Sequence, residues 1–277
     1  MTGHDRQWML NRRNFEGHWR GTSRWYLRGS PADLADGPAL DLSTPRVEIP
    51  DTRYTIRFQN DDTGLWEGEG LLLAPGGRRQ LPLSRSTYNR GGSCWQFAGA
   101  GGQSSLAVDP EQPRFGHEVN LFTERSRSML VLLYGPRVGE TGVRWWLDAV
   151  AAVPFRCRQH HGREDPPRPS AADWQPLLAE QEGWSGQLER LEPHRWPEGD
   201  PEPRPCEPFS ASAFATQPLT AGFADGLVCS VPERLPTAAF TLQVGCRLGP
   251  DRFHQVSLVF DAEQCLRAWE LRRYRRP

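Results

Sequence analysis

Residues 14–26, NFEGHWRGTSRWY, decide the fold that the sequence predicts, because they join a short helix to a first strand through a glycine. A helix is predicted over residues 5–15 from near-helical spacing of its apolar positions. Gly17 ends that helix, and Trp19 and Trp25 then fall close to strand alternation. At the entry of a small barrel, a glycine lets the chain bend in close to the leading helix, and a tryptophan fills the base.

The stretch from residue 50 to residue 150 has mostly a period of two, which is typical of half-buried strands. Glycine pairs at 76–77, 91–92 and 101–102 interrupt it and predict turns. The predicted strands are Tyr54–Phe58, Trp66–Leu72, Trp95–Phe97, Phe115–Leu121, Met129–Tyr134 and Val143–Val150. Consecutive strands with an apolar face and no helices between them favour an antiparallel up-and-down barrel.

A Pro-rich, polar stretch at residues 162–176 is the predicted domain boundary. We therefore expect an N-terminal barrel over 1–160, a linker over 161–172 and a smaller C-terminal barrel over 173–277. The fold class predicted is all-β, with two tandem lipocalin-like (calycin) antiparallel barrels, each preceded by a short helix.

The second half repeats the opening of the first, since a predicted helix is followed by Gly183 and Trp184. Each half also closes with an apolar strand, a turn and a strand that carries arginine and tryptophan. An arginine from such a last strand can lie over the indole at the barrel entry. Arg144 and Arg267 are the candidates for this contact, with Arg273 as an alternative.

These motifs resemble a cyanobacterial and plastid family of two-barrel proteins, long labelled a domain of unknown function and also known as "biogenesis factor required for ATP synthase"-like proteins. The residues that carry the resemblance are 14–26, the strand 115–122 and the tandem layout. The resemblance implies two calycin-like barrels at an angle. By analogy with the plastid member, it also implies assembly of the F1 head through contact with its β and γ subunits.

The composition excludes several classes of enzyme. The chain has 277 residues, and all 33 of its basic residues are arginine. Without lysine there can be no P-loop lysine, no kinase strand lysine and no Schiff base with pyridoxal phosphate. The formal net charge of −1 gives no overall attraction to nucleic acid or membrane, and we expect no nucleic-acid partner.

The location of the protein is predicted from its apolar segments and cysteines. The longest strongly apolar run, Met129–Tyr134, is far too short for a transmembrane helix, and the N-terminus has no signal-peptide pattern. The six cysteines show no paired spacing and are interpreted as reduced, buried thiols, which predicts a cytoplasmic protein. We expect no cofactor.

Candidate chemical sites are few. His117 shares a predicted inward face with Phe115, where it would be either a general base or a core histidine. Cys157, His160 and His161 would be either metal ligands or part of a solvated loop. No paired carboxylates and no nucleophile motif are evident, so we expect a protein that is not an enzyme.

The residues proposed for partner binding are aromatic or basic. Trp145 and Trp146 must point to opposite faces of a strand, so one of them is covered by another element or serves as an exposed anchor. The C-terminal arginines Arg272, Arg273, Arg275 and Arg276 would either contact an acidic partner or form a solvated tail.

Three functions stay open at this point. The first is a non-enzymatic assembly factor that binds the F1 β and γ subunits during ATP synthase biogenesis. The second is a calycin, a relative of the lipocalin-like bilin lyases, that binds a small apolar or tetrapyrrole (bilin) ligand in an aromatic-lined cavity. The third is a hydrolase or isomerase that uses His117.

Overall fold

A computed structural model describes residues 3–29, 40–89, 91–139, 142–158, 165–193 and 202–277. The chain is all-β, with two curled antiparallel sheets that form two barrel-like domains, as predicted. Helix α1 (Gly3–Phe15) precedes the first sheet and helix α2 (Trp174–Ala179) precedes the second; a further short helix, α3, spans Ala211–Phe214. None of the described helices has the length and apolar character needed to cross a bilayer.

The first sheet has nine strands in the order β4-β3-β2-β1-β9-β8-β7-β6-β5. The first and last strands of this half are neighbours, as in an up-and-down barrel, and β4 and β5 are the edges. The strands are β1 (Gly17–Leu27), β2 (Val47–Phe58), β3 (Thr63–Glu69), β4 (Arg78–Ser84), β5 (Cys94–Phe97), β6 (Ala100–Ser104), β7 (Phe115–Thr123), β8 (Ser126–Gly139) and β9 (Gly142–Cys157).

The second sheet has seven strands in the order β11-β10-β16-β15-β14-β13-β12. Its first and last strands, β10 and β16, are again neighbours. Its two edge strands, β11 and β12, are again consecutive in the sequence. This shared topology is the one that an internal repeat predicts. The strands are β10 (Ser185–Leu191), β11 (Arg204–Cys206), β12 (Leu219–Gly222), β13 (Leu227–Val231), β14 (Phe240–Gly249), β15 (Arg252–Phe260) and β16 (Leu266–Arg275).

Helix α1 bridges separate parts of the curled first sheet. The Gln7 side chain donates to the backbone of Gln96 on β5 at 2.9 Å and accepts from its N–H at 2.8 Å. The Trp8 indole donates to the carbonyl of Asp61, between β2 and β3, at 2.7 Å. The helix therefore closes one end of the first domain through side chains rather than through another strand pair.

The largest core of the molecule lies between the two sheets and includes residues of both. Trp95 of β5 stacks on Trp269 of β16, with ring centroids 6.3 Å apart, and both indoles donate to Ser104 Oγ at 3.1 Å. Phe115 of β7 contacts Phe260 of β15 edge to face, at 5.3 Å between centroids. The two domains consequently share a core in addition to the interiors that each sheet encloses.

Asp225 forms a buried ion cluster at the junction of the two halves. Arg156 of β9 donates to both carboxylate oxygens, at 2.6 and 3.0 Å. Arg168, in the segment that connects the halves, donates to the same carboxylate at 2.7 Å and to Ser128 of β8. The Asp225 side chain is only 4% exposed, so one carboxylate neutralises two largely buried guanidinium groups.

Replacing Asp225 by asparagine should destabilise the protein markedly. Asparagine tolerates the φ of 66° at this position, so the change removes the charge and leaves the backbone conformation accessible. Leaving two buried arginines without their carboxylate is expected to cost about 3 kcal/mol in the free energy of unfolding, measured by urea titration. The control Asp251→Asn removes an exposed carboxylate, so it should change that free energy by less than about 0.5 kcal/mol. Equal effects of the two substitutions would contradict the role assigned to Asp225.

Candidate functional site: the cavity of the first barrel-like domain

Strand β8 is apolar on both faces, and one of these faces lines the cavity described below. Leu130 and Leu132 belong to the core between the sheets. The alternate residue Met129 belongs to a different core, on the opposite face of the first sheet, and Val131 packs against it. Since successive side chains of a strand point to opposite faces, one face of β8 packs on the second sheet and the other lines the interior of the first domain.

A cavity of about 590 Å³ occupies this interior. Its volume lies in the range of ~300–1,000 Å³ that is typical of small-molecule sites. Most of its wall is aromatic or aliphatic, with contributions from α1, the strands and the segment that follows β3. The apolar lining comprises Phe15, Trp25, Tyr54, Ile56, Trp66, Leu71, Leu72, Leu83, Met129 and Val131.

Arg127 is the one residue of the described cavity wall that combines a formal charge with near-complete burial, its side chain being 1% exposed. Its Nε donates to Asn120 Oδ1 at 2.6 Å, and its Nη2 lies 3.3 Å from Glu118 Oε1. Asn120 also donates to Glu118, at 2.9 Å. The cavity therefore contains a hydrogen-bonded ion pair within a largely apolar wall.

Four aromatic rings surround the same guanidinium. The carbon Cζ of Arg127 lies 4.8–5.9 Å from the ring centroids of Phe15, Tyr54, Phe122 and Phe155. Burial lowers the pKa of Arg127, whereas the neighbouring Glu118 raises it. An arginine remains protonated even so, so the rings and Glu118 together hold a permanent cation.

Two hydrogen-bond donors of the cavity residues are left over. Arg127 Nη1 and the indole Nε1 of Trp25 are buried and have no hydrogen-bond partner among the described residues. Burial raises the pKa of the Tyr54 hydroxyl, with a further contribution from Glu118, so that tyrosine remains neutral. Both unpartnered groups are donors that lie beneath the cavity surface, so an acceptor oxygen would reach them only with a local shift of the wall.

Exposed leucines lie beside the cavity, one on strand β4 and one in the segment that precedes it. Leu73 and Leu81 line it and are two of the few large apolar residues with more than a third of their surface exposed. Arg79, also exposed, lines it as well. Since β4 is an edge strand, the two leucines and Arg79 lie beside an unpaired strand edge.

The predicted glycine and tryptophan signature has the expected place at the entry of each sheet. Gly17 has a φ of 146° and Gly183 a φ of 78°, conformations that favour glycine. Trp19 is buried and its indole donates to the carbonyl of Phe15, the last residue of α1, at 2.8 Å. Trp184 is buried with residues of α2.

The arginines predicted to cover these indoles do not do so. Trp19 pairs with Cys157 at one end of β9, whereas Arg144 lies near the other end and pairs with Arg137. Arg267 is exposed and forms an ion pair with Asp261. Arg267 lies near the start of β16, whereas Ser185, the residue after Trp184, pairs with Arg275 at the end of that strand. In the first domain Arg127 lies among other aromatic rings, one of which, Phe122, contacts Trp19 at 5.9 Å.

Trp145 and Trp146 point to opposite faces, as strand geometry requires. Trp145 is buried in the core between the sheets. Trp146 is half-buried and forms an isolated β-bridge with Arg234 of the second half. Trp145 is therefore the tryptophan that another element covers, whereas Trp146 keeps part of its surface exposed.

The C-terminal arginines are divided between contacts and solvent. Arg272 bonds to Ser257 and Glu270, and Arg273 donates to the carbonyl of Ala98 in the first half. Arg273 also forms an ion pair with Glu189. Arg275 and Arg276 are exposed.

The predicted chemical residues do not converge. His117 shares its face with Phe115, as expected, but it lies in the core between the sheets at 5.7 Å from Phe260 and not in the cavity. Cys157 is buried, and His160 and His161 lie outside the described residues. In the described part of the chain, no group of three histidine, cysteine or carboxylate side chains is arranged to hold a metal.

Comparisons with known proteins identify the fold. No family model and no curated protein matches the sequence. A solved structure from Nostoc punctiforme, described as a protein of unknown function from the DUF3598 family, has a TM-score of 0.66 and 15% identity, covering 98% of this chain and 99% of that chain. A second structure, from Bacteroides fragilis, has 6% identity and a TM-score of 0.19, too low to indicate a shared fold, although it covers 100% of each chain. The chain thus shares its fold with a cyanobacterial protein of a family of unknown function.

Acidification should destabilise the protein through His117. Both ring nitrogens lack a partner among the described residues, and burial lowers the pKa of His117 to about 3. The unfolded chain, with a histidine pKa of about 6.5, binds a proton that the folded state does not hold. The free energy of unfolding should therefore fall from about pH 6.5 towards pH 3, by up to about 1.4 kcal/mol per pH unit for this residue.

His117→Leu tests this origin of the pH dependence. The substitution should roughly halve the histidine contribution to the slope of the stability profile between about pH 6 and pH 4, because His254, whose pKa burial lowers to about 4, keeps a similar contribution. Urea titrations at a series of pH values measure both profiles. Parallel profiles for the variant and the parent chain would show that His117 does not titrate as described.

Proposed function

We propose that this protein binds a small amphipathic molecule, with an apolar body and an acceptor oxygen, in the cavity of the first barrel-like domain. The observation that carries the proposal is the 590 Å³ cavity, whose wall is mainly aromatic and aliphatic. Apolar cavities bind ligands mainly by removing apolar surface from water. The leftover donors at Arg127 and Trp25 support the acceptor oxygen, and a carboxylate is one such group.

The exposed leucines at and before the edge strand support the same function. Leu73 and Leu81 offer an apolar path towards the cavity. The exposed Arg79 beside them attracts an anionic group on a ligand. A bilin is one molecule of the proposed class, since it combines an extended apolar ring system with carboxylates; long-chain fatty acids are another.

A fluorescence titration with the neutral apolar dye N-phenyl-1-naphthylamine tests the proposal. Val131→Trp fills part of the cavity and should weaken binding by at least about tenfold, because the dye loses the space it occupies. Leu81→Glu places a charge at the exposed entrance, where it should not disturb folding, and should weaken binding several-fold. The matched control Val138→Trp adds the same ring on an exposed strand end and should leave the affinity unchanged.

Displacement of the dye extends the test to the ligand class. Biliverdin and palmitate should both displace it, and palmitate more effectively than hexadecanol, because only the acid brings a carboxylate. No dye binding, or equal binding by Val131→Trp, Leu81→Glu and the control, would overturn the proposal.

We propose, as a second candidate, a non-enzymatic role in ATP synthase assembly through the F1 β and γ subunits. Its support is the resemblance of the sequence motifs, together with one structural observation that favours a protein partner. Val138 and Val143 face each other at the end of the β8–β9 hairpin, 89% and 47% exposed. Exposed apolar residues at the end of a hairpin are suited to contact with another protein.

Purified F1 β and γ subunits provide the direct test of this second role. The immobilised chain should retain at least one of the two subunits, and Val138→Ser should reduce retention several-fold because the hairpin loses apolar contact area. The exposed substitution Arg57→Ser serves as control. Retention of neither subunit would remove the second candidate and leave the cavity function untouched.

A further inference from the structure

A row of paired residues crosses the first sheet at one side of the cavity. Gln103 of β6 pairs with Glu118 of β7, and Glu118 pairs with Val131 of β8. Directly paired residues point to the same face of a sheet, and here it is the face that lines the cavity. All three residues also line a second, separate groove on the far side of the row. We call Gln103, Glu118 and Val131 the boundary row.

The groove has a volume of about 880 Å³ and lies beside the loop that joins β6 to β7. Gly116 and Leu133 line it and form the next cross-strand pair on the same face after Glu118 and Val131. Ser105, at the start of the loop, accepts a hydrogen bond from the N–H of Gly116 at 3.0 Å. The groove therefore continues the cavity along one face of the sheet, with the boundary row between them.

The groove is lined by more polar residues than the cavity. Its wall contains one arginine and two carboxylates, and the Glu118 carboxylate is already paired with Arg127. Charge in the groove is thus nearly balanced, while donors and acceptors are both present. This mixture suits hydroxyl groups, because each hydroxyl can donate and accept. The polar side chains include Gln103, Ser105, Asp109, Gln112, Arg114 and Glu118.

Two groups of the boundary row have hydrogen-bonding capacity to spare. Both hydrogen bonds that Glu118 accepts, from Asn120 and Arg127, end on Oε1. Its Oε2 accepts none from the described residues, and the side chain is 35% exposed. The side-chain amide of Gln103, on the neighbouring strand, is exposed and has no hydrogen-bond partner in the part of the chain that the structure describes. An acceptor and an amide therefore lie side by side where the cavity meets the groove.

We propose that the ligand of the cavity carries a neutral head group with several hydroxyls, as an alkyl glycoside does, and that this head group lies in the groove. One hydroxyl donates to Oε2 of Glu118, and another accepts from the amide of Gln103. A charged head group gains less, since the nearly balanced charge of the groove gives it no net attraction. The inference rests on the proposed cavity function and deepens it by naming the head group and its place.

Amphiphiles that share a decyl chain and differ in the head group test this inference. Decyl glucoside, decanol and decyltrimethylammonium are compared below their micelle concentrations, by displacement of N-phenyl-1-naphthylamine and by direct calorimetric titration. Decyl glucoside should bind at least about fivefold more tightly than decanol, because its hydroxyls form hydrogen bonds in the groove. It should also bind more tightly than decyltrimethylammonium.

Gln103→Leu separates the groove from the cavity. The position is exposed and leucine is of similar size, so the fold should be kept. The variant should bind decyl glucoside about fivefold more weakly, since the amide is lost, and should bind decanol no more weakly than the parent chain. The matched control Gln187→Leu makes the same change at an exposed position of β10 and should alter neither affinity.

The outcomes distinguish failure of this inference from failure of the cavity function. If decanol and decyl glucoside bind equally well, or if Gln103→Leu leaves the affinity for the glucoside unchanged, the head-group inference fails and the cavity function stands. Tightest binding of decyltrimethylammonium would likewise overturn the inference alone. If neither the dye nor any of the three amphiphiles binds, the cavity function fails and the inference fails with it.

Discussion

The central parts of strands β7, β8 and β9 are largely buried on both faces, and this constraint governs the arrangement of the whole molecule. One face packs against the second sheet, where Trp95 stacks on Trp269 and both indoles share Ser104. The other face, with Met129 and Val131, belongs to the interior of the first domain. Because the core between the sheets removes much apolar surface from water, the first sheet can remain curled around an interior that its own side chains do not fill.

Arg127 explains how a largely apolar interior retains a charge. An isolated buried guanidinium would be costly, since several kcal/mol are lost when an ion leaves water. Here Glu118 neutralises it, Asn120 orients both groups, and four ring faces replace part of the lost hydration. The same cluster packs close to the Trp19 entry, and the Nη1 group of Arg127 has no hydrogen-bond partner among the described residues.

The sequence predicts the barrel-like fold, the repeated helix–glycine–tryptophan entry and most central strands, because these features depend on local spacing. Strand β4 was missed, since its side chains are mostly exposed and show no alternation. The glycine pair 101–102, interpreted as a turn, lies inside β6, where a side chain at Gly102 would collide with the carbonyl of Glu118. Arg127 was missed as well: it follows a turn beside other polar residues, and only the curled sheet brings four distant rings around it.

The central claim is that the first domain encloses an open, ligand-accessible cavity between β4 and β8. A crystal structure of the protein grown with N-phenyl-1-naphthylamine tests it most directly. We expect electron density for the dye between Trp66 and Met129, with Arg127 in the same contacts to Glu118 and Asn120. A cavity closed by rearranged side chains, with the dye absent or bound only at the outer surface, would contradict it.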